Sequence, residues 1–215
     1  MRTPAGESPE PAPTGAGDPR ARRRARLGDL SRVLLDPAQA AELDVHGRTD
    51  AGVLVPLYER EDQVHAVFTE RRGDMRRHAG EISFPGGRQD EPDEDLVRTA
   101  LREAEEEIGL PPDAVEVLGA LQPTPTIATN YAIYPFVGRI EPGHEWKPSA
   151  AEVAQVLELS LDDLRAGYGR RRLLRHGVPF RTDVYCVGEH LIWGATARIL
   201  GDLLDRVERL EECVA

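Results

Sequence analysis

The sequence predicts one domain of the α/β or α+β class, built on a mixed β-sheet, and three observations support this prediction. The chain has 215 residues, enough for one domain with a sizeable core but short for two. Segments with the alternation of strands are interspersed with segments of helical periodicity, which favours a sheet packed against helices. No segment is repeated along the chain, which agrees with a single domain of this class.

The composition of residues 1–26 predicts a disordered N-terminal tail, which leaves 27–215 as the folded domain. The tail is rich in Pro, Ala, Gly and Arg and has low sequence complexity. Its arginines could indicate an organelle-targeting peptide. However, Glu7, Glu10 and Asp18, together with five prolines, oppose the amphipathic helix that such a peptide needs.

Charge and cysteine content restrict the expected partners and location. The formal net charge of −11 argues against a basic surface for nucleic acid, but it permits an anionic small molecule that a cation and a few arginines neutralise locally. No apolar run approaches the length of about 18 residues that suggests a membrane span. Cys186 and Cys213 fit no metal-ligand spacing, so we expect reduced thiols in the cytoplasm. The oligomeric state stays open, with a homodimer as one alternative.

The first elements are a helix, two strands and a loop that ends in a glycine turn. A short amphipathic helix is predicted at 27–35. Residues 51–58 and 64–69 have the composition of strands, joined by a polar turn. A basic loop over 71–81 leads into a short extended segment, 82–84. Pro85, Gly86 and Gly87 then end regular structure.

A helix is predicted from about Asp93 to Ile108. Its apolar residues recur at spacings of four, three and four, namely Val97, Leu101, Ala104 and Ile108. Gly109 supplies a C-terminal stop, and the two prolines that follow it prevent continuation. The pattern therefore predicts one amphipathic helix directly after the glycine turn.

The remaining elements complete an alternation of strands and helices. The predicted strands are 115–121, 131–140, 153–159 and 183–187. Ser160 resembles the N-cap of a short helix, and an Arg-rich loop is expected between that helix and the last strand. In the closing helix, one face carries Leu200, Leu203, Leu204, Val207 and Leu210.

The most informative residues are three glutamates on the 93–108 helix. At 3.6 residues per turn, Glu103, Glu106 and Glu107 share an arc of about 100°. Clustered carboxylates suit Mg²⁺ or Mn²⁺, whose charge would relieve their repulsion. The alternative interpretation of a Glu-rich turn is a solvated acidic face. The glycine turn favours the metal, because without side chains its carbonyls can approach a cation.

The segment from Gly87 to Leu110 resembles the box of the Nudix hydrolases, G-x5-E-x7-R-E-U-x-E-E-x-G-U, where U is apolar. The matching residues are Glu94, Arg102, Glu103, Ala104, Glu106, Glu107, Gly109 and Leu110. One extra loop residue leaves open whether Asp93, Glu94 or Asp95 pairs with Arg102. The resemblance implies a Nudix fold, a mixed sheet sandwiched between helices. It also implies catalytic roles for Arg102 and the three glutamates, with Gly87 and the glutamates as metal ligands.

The segment upstream of the box resembles the coenzyme A pyrophosphatase branch of that family. The upstream signature of that branch resembles L-L-T-x-R-S-x3-R-x3-G-x3-F-P-G-G. The residues of this chain that match it are Thr69, Arg71, Arg76, Gly80, Phe84, Pro85, Gly86 and Gly87. Arg72 stands where a small residue is usual. The resemblance implies that Arg71, Arg76, Gly86 and Gly87 bind substrate, since cationic groups beside a metal suit a diphosphate.

The reaction implied is Mg²⁺- or Mn²⁺-dependent attack of water on the diphosphate of coenzyme A. Its products are 4′-phosphopantetheine and adenosine 3′,5′-bisphosphate. One box glutamate or Glu152 is the candidate general base. Two alternatives stay open: a Nudix pyrophosphatase for another nucleoside diphosphate, such as ADP-ribose or a dinucleotide, and a non-catalytic, ligand-sensing Nudix regulator. The intact glutamate cluster argues against the regulator.

Overall fold

The computed structural model describes residues 26–74, 80–91, 93–126, 130–175 and 178–214. All but the last residue of the predicted tail, 1–26, therefore lies outside the described residues. The same holds for Arg76, one of the predicted substrate-binding residues.

A mixed sheet of eight strands forms the centre of the described fold. Its strands are β1 (Thr49–Arg60), β2 (Gln63–Arg71), β3 (Ile82–Ser83), β4 (Gly86–Arg88), β5 (Glu116–Ala120), β6 (Thr124–Pro125), β7 (Tyr131–Arg139) and β8 (Val153–Ser160). The main order is β3-β2-β1-β7-β5, while β4 pairs with β1, β6 with β7 and β8 with β2. Only the β1–β7 pair in this sheet is parallel.

Four helices and a smaller sheet surround this sheet. The helices are α1 (Pro37–Ala41), α2 (Leu96–Ile108), α3 (Leu161–Ala166) and α4 (Gly194–Val214), with short 3-10 turns at Leu27–Arg32 and Pro112–Ala114. The second sheet is antiparallel and consists of β9 (Tyr168–Arg175), β10 (Val178–Val187) and β11 (His190–Trp193). None of the described helices is long and apolar enough to cross a membrane.

Two separate apolar cores hold the layers together. On one face, α1 and α2 pack against the large sheet through a cluster that includes Leu54, Phe136 and Ile108. On the other face, α3 and α4 pack through a cluster that includes Phe68 and Leu200. The predicted mixed sheet between helices is therefore confirmed. Because β1 is covered on both faces, its middle eight residues are all buried.

The Arg-rich segment that was predicted to be a loop is strand β9, so that prediction was wrong. It pairs antiparallel with β10 from Tyr168 opposite Tyr185 to Arg175 opposite Val178. Arginine does not prevent strand formation, because its long side chain can extend into solvent while the backbone pairs. Val184 and Tyr185 in β10 are buried and anchor the base of this hairpin. Strand β10 also begins earlier than predicted, at Val178, and β11 was not predicted.

Helix α2 begins at Leu96, three residues later than predicted. Asp95 is its N-cap, and its carboxylate accepts a hydrogen bond from the backbone N–H of Arg98 at 2.8 Å. Gly109 ends the helix in the left-handed conformation, with φ of 71°, as the sequence predicted. The buried stripe includes Leu96 and Ala100, whereas Val97 is only partly buried.

The first turn of α2 lies against the backbone of β1 at Gly52. A Cβ atom on Gly52 would stand 2.3 Å from the carbonyl oxygen of Leu96 and 3.0 Å from the nitrogen of Ala100. Both neighbours are backbone atoms, so no side-chain rotation could make room. This close approach fixes the distance between the acidic helix and the sheet.

We expect Gly52→Ala to lower the free energy of unfolding by about 3 kcal/mol, because helix and strand would have to separate. Gly169→Ala is the matched control, since it also lies in a strand but its Cβ would meet nothing within 4 Å. Urea unfolding midpoints check this prediction. Equal midpoints for the two variants would show that the contact at Gly52 is not restrictive.

Candidate active site

Helix α2 presents its three predicted glutamates at very different depths. The Glu107 side chain is 7% exposed, that of Glu103 is 18% exposed and that of Glu106 is 61% exposed. The helix therefore carries one buried carboxylate, one at the edge and one at the surface.

The buried carboxylate of Glu107 lies between the glycine turn and an arginine of β2. One of its oxygens accepts a hydrogen bond from the backbone N–H of Gly86 at 3.3 Å, and the other is 3.8 Å from Nη1 of Arg71. Burial raises the pKa of Glu107 to about 7, although Arg71 and the Gly86 N–H oppose this shift. A nearby divalent cation would favour the charged form.

Glu103 lies against the backbone of the second glycine of the turn. A Cβ atom on Gly87 would stand 2.4 Å from the carboxyl carbon of Glu103 and 2.5 to 2.6 Å from its oxygens. Any other residue at position 87 would therefore displace this carboxylate. Burial raises the pKa of Glu103, and Arg102 opposes the shift.

Arg71 connects the helix to the beginning of β8. Its Nη2 atom is 3.2 Å from a carboxylate oxygen of Glu152, while its Nη1 atom faces Glu107. Glu152 thus lies across Arg71 from the helix, and its charge contributes to raising the pKa values of both Glu103 and Glu107. A fourth carboxylate, from a distant part of the chain, is present at the site.

Arg102 pairs with Asp93, which answers the question that the sequence left open. Its Nε and Nη2 atoms donate to the Asp93 carboxylate at 3.0 Å, and that side chain is only 6% exposed. Asp95 instead caps the helix, and Glu94 is exposed. The extra residue relative to the box pattern therefore falls between Asp93 and Arg102, and the match at Glu94 does not hold.

Comparison with known proteins supplies the decisive observation. A model of the NUDIX domain matches residues 48–177, more than half of the chain. A protein named "Uncharacterized Nudix hydrolase NudL" from Enterobacter sp. (strain 638) is 39% identical over 162 residues, which are 74% of this chain and 83% of the relative. The protein of the same name from Salmonella dublin is 38% identical over 176 residues, 81% of this chain and 90% of the relative.

This chain belongs to the Nudix hydrolase family. It is an enzyme of the class that hydrolyses pyrophosphate bonds in small-molecule diphosphates, and Nudix hydrolases generally need divalent metal ions such as Mg²⁺ or Mn²⁺. Among solved structures, a MutT/nudix family protein from Enterococcus faecalis superposes with a TM-score of 0.52, covering 87% of this chain and 71% of that protein. Its sequence identity of 16% supports the Nudix fold alone.

The residues of the Nudix box have the right chemistry for a hard cation. Carboxylate oxygens and a side-chain-free backbone at Gly87 are suitable donors for Mg²⁺ or Mn²⁺. Within the described ranges, no three acidic, His or Cys side chains lie close enough together to hold a metal ion. In the structure, arginines contact these carboxylates. Arg102 contacts Glu103 at 2.9 Å and Glu106 at 3.2 Å, and Arg71 faces Glu107.

The structure brings most of the predicted site residues together. Glu103 and Glu107 lie beside Gly86 and Gly87, and Arg71 lies next to Glu107. Glu106 lies on the exposed rim. Arg102 contacts acidic side chains and the carbonyl oxygen of Arg88, which makes it a link between helix and loop. Arg76 lies outside the described residues.

Sequence reasoning did not identify Asp93 as the partner of Arg102. The available signal was its spacing, because five residues separate Gly87 from Asp93, as in the box, whereas six separate Gly87 from Glu94.

Replacement of the acid that pairs with Arg102 should destabilise this Nudix fold. We expect Asp93→Asn to lower the free energy of unfolding by about 2 kcal/mol near neutral pH, since a charged hydrogen-bonded pair is lost. Arg102 holds the pKa of Asp93 below its usual value. The stabilisation that the Asp93–Arg102 pair contributes is therefore fully present above about pH 3.9, the pKa of an aspartate in the unfolded chain. It disappears as the pH falls through the lower pKa that Asp93 has in the folded protein.

Glu94→Gln is the matched control and should stay within about 0.5 kcal/mol of the unmodified protein. Urea titrations of both variants at several pH values check the prediction. A larger loss for Glu94→Gln than for Asp93→Asn would assign the pairing to Glu94.

Proposed function

We propose that this Nudix hydrolase cleaves the diphosphate bond of coenzyme A or its derivatives, releasing 4′-phosphopantetheine, or its acyl form, and adenosine 3′,5′-bisphosphate. The observation that carries the proposal is the position of Arg71. This arginine belongs to the segment that resembles the coenzyme A pyrophosphatase branch, and it lies between Glu107 and Glu152 beside the glycine turn. A guanidinium in this place suits a bound diphosphate.

Other residues of the same segment support this position of Arg71 by joining β2 to the glycine turn. The hydroxyl of Thr69, which is buried, lies 3.2 Å from both the carbonyl oxygen and the hydroxyl of Ser83 in β3. Phe84 stacks on Phe68 of β2, with 4.5 Å between the ring centroids. The turn that follows Phe84 is therefore anchored to the strand that carries Arg71.

We assign the metal to Glu103, Glu106 and Glu107, with the Gly87 carbonyl as a further ligand. A bound Mg²⁺ or Mn²⁺ supplies charge neutralisation of the diphosphate and lowers the pKa of water. Glu106 is suited to adjust to the ion, because it is exposed and its ion-pair partner among the described residues is the Arg102 guanidinium. Arg71 would exchange its contact with Glu107 for a phosphate oxygen. This exchange leaves the Glu107 carboxylate available as a ligand.

We assign the proton transfer to a carboxylate facing this cluster, either Glu152 or one of the helix glutamates. The oxygen of the attacking water forms a bond to phosphorus, its proton passes to the carboxylate, and the bond from that phosphorus to the bridging oxygen breaks. The departing phosphate group retains the electron pair. Glu152 is favoured geometrically because Arg71 holds its carboxylate at 3.2 Å on the side opposite Glu107.

Arg102 acts in this scheme by positioning rather than by contacting substrate. Its guanidinium joins Asp93 in the loop to Glu103 and Glu106 on the helix. It therefore keeps the loop after the glycine turn and the acidic helix face in register.

Removal of one charge from the acidic face tests the catalytic assignment. We expect Glu106→Gln to reduce kcat for coenzyme A by about 100-fold or more, with folding unchanged because the side chain is exposed. Glu105→Gln is the matched control on the same helix, where the side chain is also exposed but lies outside the proposed ligand set. Similar activities in the two variants would remove Glu106 from the site.

A panel of diphosphates tests the substrate. With Mg²⁺ or Mn²⁺ present, we expect coenzyme A to be hydrolysed with a higher kcat/KM than ADP-ribose or a diadenosine polyphosphate. Mass spectrometry should detect 4′-phosphopantetheine and adenosine 3′,5′-bisphosphate. A clear preference for ADP-ribose would overturn the coenzyme A assignment while leaving the Nudix chemistry in place.

A further inference from the structure

An open depression of about 580 Å³ adjoins the candidate active site. It lies between the residues that follow β2 and the segment that leads into β8. Its lining includes Arg72, Asp74, Pro148, Ala150, Val153 and Ala154. None of the proposed metal ligands or substrate-binding residues is part of this lining, so the catalytic assignment leaves the depression without a role.

A β-bulge places this depression next to the carboxylate cluster. Along the β2–β8 pair, Glu70 lies opposite Gln155, but Arg71 lies opposite Val153, so Ala154 is the extra residue. Residues that lie opposite each other in a sheet point their side chains to the same face. The Val153 wall of the depression is therefore on the face where Arg71 meets Glu107.

Backbone and side-chain contacts connect the depression to Glu152. The backbone N–H of Arg72 donates to the carbonyl oxygen of Glu152 at 3.0 Å. The Arg72 side chain donates a second hydrogen bond to the same segment, from Nη1 to the carbonyl oxygen of Ala150 at 2.6 Å. The depression therefore begins next to Arg71 and Glu152, beside the place proposed for the diphosphate.

In the described part of the lining, the charged side chains of Arg72 and Asp74 form a pair that is neutral overall. Arg72 donates to both oxygens of Asp74, from Nε at 2.9 Å and from Nη2 at 2.7 Å. Arg72 keeps the pKa of Asp74 below its usual value, so both groups are charged near neutral pH. Among the described residues, each guanidinium nitrogen of Arg72 makes one contact, so Nη1 and Nη2 each have a second N–H. The pair can thus offer donors next to acceptors without a net charge.

We propose that this depression is the subsite for an uncharged, amide-bearing chain attached to the diphosphate. This proposal rests on the proposed function, in which the pantetheine arm of coenzyme A is such a chain. Pro148, Val153 and Ala154 provide small apolar walls for methylene and methyl groups. The Arg72–Asp74 pair provides N–H donors and carboxylate lone pairs for amides.

The described charged residues of the lining, Arg72 and Asp74, disfavour a phosphorylated group beside them. A phosphate needs uncompensated positive charge, and Asp74 already compensates Arg72 through two hydrogen bonds. An added phosphate would also face the Asp74 carboxylate. The adenosine 3′-phosphate half of the substrate is thereby assigned to a different part of the site.

Binding of the two separate halves of the substrate tests the proposal. The probes are pantetheine and adenosine 3′,5′-bisphosphate, each titrated into isotope-labelled full-length protein carrying Glu106→Gln and followed by amide resonances in NMR spectra. We expect pantetheine to shift the amide signals of Gly73, Ala150 and Ala154, and adenosine 3′,5′-bisphosphate to leave them in place. The proposal is overturned if adenosine 3′,5′-bisphosphate shifts these signals or if pantetheine does not.

A blocking variant gives the kinetic counterpart. Ala154 is exposed, so Ala154→Phe should fill the depression without disturbing a core, and Ala166→Phe at the exposed end of α3 is the matched control. We expect Ala154→Phe to raise KM for coenzyme A about 10-fold with little change in kcat, since only binding shared by ground and transition states is lost. The control should have unchanged kinetics, and equal KM values for the two variants would overturn the subsite.

These outcomes separate the subsite from the proposed function. If the unmodified protein hydrolyses coenzyme A but pantetheine does not shift the three amide signals, the subsite fails and the function stands. If pantetheine shifts these signals but coenzyme A is not hydrolysed, the subsite stands and the substrate assignment fails.

Discussion

The close approach of α2 to the backbone of the large sheet is the constraint on which the candidate active site depends. The helix touches β1 at Gly52 through its first turn, and the carboxylate of Glu103 touches Gly87 in β4. Both contacts require glycine, because a Cβ atom at either position would overlap its neighbour. Because Gly52 and Gly87 carry no side chain, the helix approaches the backbone closely, and Glu103 and Glu107 directly face the glycine turn. The first turn of the helix thus packs on β1, whereas its acidic face contacts the neighbouring strand β4.

Burial of acidic groups at this site is balanced by arginines rather than by apolar packing. An unpaired carboxylate as buried as that of Glu107 would be costly, and the Gly86 N–H together with Arg71 offsets part of this cost. Arg102 has the same effect on Asp93 and Glu103. The two arginines join different groups. Arg102 joins groups of one helix and its preceding loop, whereas Arg71 joins two acids from different elements.

Sequence reasoning predicted the parts of this fold that depend on local periodicity and missed those that depend on pairing between strands. The helix at 93–108 and the C-terminal helix follow from apolar spacing, and Gly109 ends α2 as expected. The Arg-rich strand β9 was missed because its partner β10, rather than its own composition, makes it a strand. At the site, helical geometry placed three glutamates on one face. It could not show that Glu107 is buried while Glu106 is exposed, nor that Asp93 reaches Arg102, because depth and loop path depend on packing.

The parallel pairing of β1 with β7 has a consequence for the order in which the molecule assembles. It joins residues near 50 to residues near 130, and β8 adds to β2 from still further along the chain. Contacts of such long sequence separation require closure of large loops before they contribute free energy, which slows folding. A nascent chain that has emerged only as far as α2 would contain the three glutamates of this helix. It would lack both β7, which pairs with β1 at the centre of the sheet, and Glu152. The candidate active site is therefore completed late in biosynthesis, after most of the polypeptide has left the ribosome.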